Sequence, residues 1–314
     1  VAGPTPGSDG PVTASTQTAG VAAPIVRSRR RKRIRGSSIA IMVFLTMCAA
    51  FVSVPLYVVI VTSFKTMDQI ALGEVFTLPT TWTLEPWKQA WSEVCAGMTC
   101  EGVSRGFWTS MKILFPSLLL SIGISSVTGY ALALWKIRWA GTFLFILFMC
   151  AFVPFQIIMI PLVVLNSSIG LYGTTWSIAV VHSILAMPLL TLIFRNFYKD
   201  VPEEIVNAAI MDCGSFWRIF FEIILPMSSN IMIVVLILMI TNVWNDYLIG
   251  LTFGGVGTQP MTVILANTVI TSFGAVQYNV DMAAALLTAI PPLVVYFALG
   301  KFFVQGITAG AIKG

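Results

Sequence analysis

Six long apolar runs divide the chain, over residues 38–62, 107–134, 140–165, 174–197, 227–250 and 282–304, with polar connections between them. Each is near the about 20 residues that a helix needs to cross roughly 30 Å of hydrocarbon. The pattern therefore predicts an all-α polytopic membrane protein with six transmembrane helices in one domain over 38–304. Residues 1–37 predict a disordered basic tail: they are rich in Ala, Pro, Gly, Ser and Thr and bury too little apolar area to offset the entropy of ordering. Residues 305–314 form a second, short tail.

Composition supports the bilayer. With 57% hydrophobic and 10% charged residues, the chain lacks the polar side chains needed to cover a water-facing domain. Charge then sets the orientation. The block RSRRRKRIR at 27–35 abuts the first run, which fits an anionic cytoplasmic leaflet and not nucleic acid. Six spans place both termini on one side. If that side is the cytoplasm, fourteen of the eighteen Lys and Arg lie inside, leaving Lys65, Lys88, Arg105 and Lys112 outside. The first outer loop gathers Asp68, Glu74, Glu85, Glu93 and Glu101 instead, so both termini are expected in the cytoplasm.

Several spans carry residues with chemistry. Ser117, Ser121, Ser125 and Gly129 recur every fourth position, a stripe of small residues that suits close helix packing or a polar lining. Pro154 and Pro161 predict kinks around Gln156, a polar group that needs a partner in hydrocarbon. Asn242, Asn245 and Asp246, beside Trp244 and Tyr247, read either as a substrate path for a hydroxyl-rich solute or as an interface belt. His182 is the only histidine and has no Cys, Asp or Glu in its own span, the pattern of a structural side chain. Cys48, Cys150 and Cys213 are isolated, and no Cys-x-x-Cys or His pair points to a metal. Cys95 and Cys100 lie in an expected outer loop, where they pair as a disulfide or remain thiols.

The polar stretch between the fourth and fifth runs is the most ordered of the connections. Asp200 is placed to cap a helix whose third position, Glu203, reaches back, with Pro202 in its first turn. Glu203 and Glu204 sit at the positive end of the helix dipole, and Ala208 and Ala209 leave room for a partner surface. Gly214 allows a break. A second helix with the i, i+4 pair Arg218 and Glu222 then stops at Pro226. The alternative is a solvated loop.

This stretch resembles the cytoplasmic Glu-Ala-Ala loop of permease subunits in binding-protein-dependent ABC importers. Asn207, Ala208 and Ala209 take the Glu-Ala-Ala places, Cys213 takes the Gly place, and Ile223, Leu225 and Pro226 close the pattern at the family's spacing. Asn207 lacks the usual carboxylate, which passes any charge contact to Glu203 or Glu204, and Cys213 shifts the turn toward Gly214. LPTTWTLEPWKQAW, VPFQIIMIPLVVLNSSIGLYGT, WNDYL and FFVQGITAGAIKG are similar to the carbohydrate-importing branch, as in the second maltose-permease subunit. The resemblance implies a bacterial cell membrane and a sister permease. It also implies two copies of a cytoplasmic ATPase, an extracellular solute-binding protein and a sugar as substrate. The coupling contacts would be Glu203, Glu204, Asn207, Ala208, Ala209, Asp212, Cys213 and Gly214, and the substrate path Gln156, Asn242, Asn245 and Asp246. The tail GITAGAIKG would touch the ATPases. The chain has no Gly-x-x-x-x-Gly-Lys-Ser/Thr sequence, so no cofactor is expected here and ATP is left to the partner subunits. An intramembrane enzyme using His182 with a Ser, or a channel of another six-helix family, stands as the alternative.

Overall fold

The computed structural model describes Gly3 and residues 36–95, 99–270 and 276–311, with backbone only for 36–38, 213, 269–270 and 302–311. Most of the expected tail at 1–37, and residues 312–314 of the second tail, lie outside the described residues. The described remainder is helical. In chain order the helices are α1 (Gly36–Ser63), α2 (Met67–Ala71), α3 (Glu85–Ser92), α4 (Gly102–Leu134), α5 (Ala140–Ala151), α6 (Phe155–Ser168), α7 (Thr175–Lys199), α8 (Glu203–Cys213) and α9 (Phe216–Ile219). After a π turn at Phe220–Ile224 come α10 (Leu225–Met227), α11 (Ser229–Asn245), α12 (Leu248–Phe253), α13 (Met261–Ile270) and α14 (Tyr278–Ala311). The backbone thus stays helical beyond the expected span end at 304.

Four straight segments are long and apolar enough to cross a membrane: Ile39–Ser63, Gly102–Leu134, Thr175–Lys199 and Tyr278–Lys301. The third expected span is broken, and a second bend separates the aromatic stretch that follows Gly214 from the fifth span, next to Pro226, the expected stop of that stretch. Ala140–Ala151 meets Phe155–Ser168 at 100°, and Phe216–Met227 meets Ser229–Asn245 at 79°. The first break falls at Pro154, which stands at the N-cap of α6 with no N–H to offer, while Pro161 lies inside that helix. The second falls at Ser228, whose hydroxyl donates to Ile224 O at 2.5 Å and lies in hydrogen-bond contact with Tyr198 Oη at 3.3 Å.

Within residues 52–314 the core is built on α4 against α7. The Ser117, Ser121, Ser125 and Gly129 stripe is buried along this contact. A Cβ at Gly129 would lie 2.7 Å from Phe194 Cβ, so only glycine lets the two helices approach this closely. Two of the serines are satisfied in this apolar layer by bonding back to their own helix, Ser117 to Ile113 O at 2.7 Å and Ser121 to Ser117 O at 2.6 Å, whereas Ser125 Oγ is buried without a partner among the described residues. The stripe is a packing surface between α4 and α7.

One end of this unit is closed by short elements that the hydropathy pattern left unassigned. Met261 N on α13 donates to Ser110 Oγ at 2.9 Å, and Trp244 Nε1 donates to Thr288 O at 2.9 Å. Lys65 is 1% exposed and donates to Glu74 O and Thr77 Oγ1, while its own carbonyl accepts from Asn279 Nδ2 at 3.0 Å. The Cys95 and Cys100 pair is disulfide-bonded at this end.

Candidate functional site: a clamped elbow and a polar cleft

The elbow begins where α7 stops. Asp200 is the C-cap of α7, its N–H donating to Phe197 O at 3.1 Å. Pro202, with φ −57° and ψ 133°, is the N-cap of α8 and has no side-chain group of its own with which to cap it. Asp200 thus closes the preceding helix with its backbone, and the fixed φ of Pro202 sets the entry into α8. Glu203 and Glu204 occupy the first turn, exposed, where the dipole favours negative charge. Among the described side chains of α8 only Val206 and Ala209 turn inward; Asn207, Ala208 and Asp212 face out, as do Ile205, Ile210 and Met211, the last 81% exposed. This eleven-residue helix leaves apolar side chains uncovered. Cys213 remains helical and Gly214 takes φ +62°, so the left-handed turn falls one residue past the family's glycine place.

Past Gly214 the chain is clamped. Tyr130 and Trp135, at the end of α4, sit 4.7 and 5.2 Å from the ring of Phe216, and Tyr130 lies 5.4 Å from Phe220. The Tyr130 hydroxyl donates to Phe216 O at 3.3 Å. Arg218 and Glu222 pair at 3.0 Å on the exposed side, worth only a few tenths of a kcal/mol. The π turn adds one residue to the ring between hydrogen-bonded groups, a local widening frequent at functional positions. Aromatic contacts of this kind contribute about 0.5–1.5 kcal/mol each beyond burial. Together with the Ser228–Tyr198 bond they join the elbow to α4, α7 and α11 as one body.

A second feature lies at the far end of α7 and α11. A cleft of 410 Å³ opens between them, with Phe155 of α6 on its rim. His182, its side chain 2% exposed, brings Nε2 to 3.7 Å from Asp246 Oδ2. Asp246 is held in turn: its Oδ2 accepts from Gly250 N at 2.9 Å, and its carbonyl accepts from Thr262 Oγ1. Asn242, one turn earlier on α11, lines the same cleft among Leu185, Leu238 and Met239. The partner that the sequence could not supply for His182 comes from another helix. Asn245 and Gln156 are exposed and line no part of this cleft. An imidazole, a carboxylate and an amide against apolar walls can bond hydroxyl groups and cover C–H faces. None of the described residues lining the cleft is Ser, Thr or Cys. No cluster of three or more metal-ligating side chains occurs among the described residues.

Residues 121–309 match the model of a family described as the binding-protein-dependent transport system inner membrane component. A probable ABC transporter permease protein of Pyrococcus horikoshii is 43% identical over 164 residues, which is 52% of this chain and 59% of that protein. The alignment thus spans less than two thirds of that relative's length. The melibiose/raffinose/stachyose import permease protein of Bacillus subtilis is 27% identical over 92% of this chain and all of its own. Among solved structures, a bacterial ABC transporter involved in the import of the acidic polysaccharide alginate has a chain of the same fold. Its TM-score is 0.74 at 17% identity, covering 86% of this chain and 97% of that one.

Proposed function

The chain belongs to the inner membrane components of binding-protein-dependent transport systems, and from that membership we propose that it forms half of the passage of an ATP-driven sugar importer. It is a multi-pass plasma-membrane permease and not an enzyme. In this reading a sister permease supplies the other half, an extracellular binding protein delivers the sugar, and two cytoplasmic ATPase copies hold the ATP. The elbow end faces the cytoplasm, in line with the bias of Lys and Arg. An oligosaccharide is the substrate class favoured by the Bacillus relative's name.

The observation that carries the reading is α8. A short helix with acids at its start and Ile205, Ile210 and Met211 uncovered is a surface shaped for another protein. When the ATPase pair closes, it pushes α8. Because Tyr130 and Trp135 grip Phe216 and Phe220, the push reaches α4 and, across the Ser228 bend, α11. Rotation of α11 against α7 then opens or shuts the cleft that carries His182, Asn242 and Asp246.

Ala208 is the test position because it is exposed, whereas Ala209 is 5% exposed and belongs to the fold. Ala208→Asp is expected to strip the ATPase from the purified complex by roughly tenfold or more, since a carboxylate buried in an apolar contact costs about 2 kcal/mol or more. The permease itself should still elute intact. Equal ATPase recovery from variant and wild type would remove the docking role.

A further inference from the structure

We propose that one face of α4 binds an anionic phospholipid, with the phosphate beside Lys112, Arg105 and Trp108 and an acyl chain in the groove that follows. A cavity of 530 Å³ at the start of α4 is lined by Ser104, Arg105, Trp108, Thr109 and Lys112 together with Glu101. Arg105 is matched by Glu101 at 2.7 Å. Lys112 is exposed and has no ion-pair partner among the described residues, so the cluster keeps a net positive charge. A lysine on the open face of a membrane helix is costly unless it reaches a counter-charge, and the phosphate of a lipid is the one at hand. Trp108, 62% exposed, is the ring type that settles at headgroup level.

The face continues directly into hydrocarbon. At about 100° per residue, Trp108, Lys112, Phe115, Leu119 and Ser126 fall within roughly 60° of arc. A second cavity of 580 Å³ starts at Phe115 and runs to Val127, walled on its far side by Phe221, Leu225 and Met232. Twelve residues rise about 18 Å, comparable with the hydrocarbon depth of one leaflet, about 15 Å. The hydroxyl of Ser126 donates to Gly123 O at 3.0 Å, so the groove offers a sugar no free donor. A helix of another chain fits less well. Gly123 and Ser126 are small, but the groove's mouth carries the bulky Phe115 and Leu119, and an apolar helix leaves Lys112 unmatched.

Native mass spectrometry of the assembled complex, given equimolar phosphatidylglycerol and phosphatidylcholine, tests the site. Wild type should retain phosphatidylglycerol at least fivefold over phosphatidylcholine. Lys112→Gln should bring that ratio to near one, Lys112→Arg should keep it, and Leu119→Trp should lower retention of both lipids. A wild-type ratio of one overturns the proposal without any variant, as does an unchanged ratio in Lys112→Gln. Cross-linking of Leu119→Cys to another polypeptide in the complex would show that a protein, not a lipid, covers the face.

Discussion

Two residues decide the most at the smallest scale, Asp246 and Gly214. Asp246 accepts the Gly250 N–H and faces His182, so it serves both the backbone and the cleft. Asp246→Asn keeps a hydrogen-bonding oxygen for Gly250 and removes the charge. It should leave assembly intact while lowering uptake of labelled oligosaccharide several-fold; unchanged uptake by an intact complex would take the cleft out of the path. His182→Gln should act in the same direction. Gly214 sits at φ +62° with its nearest neighbour, Ile210 O, 3.7 Å from an added Cβ, so backbone strain and not space is the obstacle there. Gly214→Val is expected to cost roughly 1–2 kcal/mol and lower the melting temperature of the purified permease. The glycine turn was legible because only glycine takes that conformation freely. The His182–Asp246 pair was not, because each partner looks isolated within its own helix.

Among the elements, the joint from α8 to α11 carries the argument. Its order of polar helix, glycine turn, aromatic helix and proline could be read along the chain, since each signal is local. The clamp could not, because Tyr130 and Trp135 come from the end of α4. Phe216→Ala tests it. A fully buried Phe→Ala change costs about 3–5 kcal/mol and this half-buried ring less, so the fold should survive. ATPase binding should persist while ATP hydrolysis loses its link to uptake, giving turnover without transport. Uptake and hydrolysis falling in proportion would show that force travels by another route. The breaks at Pro154 and Ser228 belong to this scale too. Prolines marked both, Pro154 the first and Pro226 the second; the bond between Ser228 and Tyr198 that ties the second to α7 is a contact along-chain signals do not record.

For the whole molecule the question is which end faces which side. With Cys48, Cys150 and Cys213 replaced, so that the disulfide pair holds the only native cysteines left, Met211→Cys in α8 should react with an impermeant maleimide only from the cytoplasmic face. Trp108→Cys should react only from the opposite face. The reverse pattern would invert the bundle and end the coupling account. Class, number of apolar runs, charge bias and the position of the elbow were determined by the sequence, because hydrocarbon demands continuous apolar helices and local signals start and stop them. Only the tertiary structure decided that the serine stripe packs on α7, that His182 meets Asp246, and that Gln156 and Asn245 fall outside the cleft. Those facts depend on how helices far apart in the chain rotate and cross, and an apolar face in a membrane protein does not by itself say which neighbour will cover it.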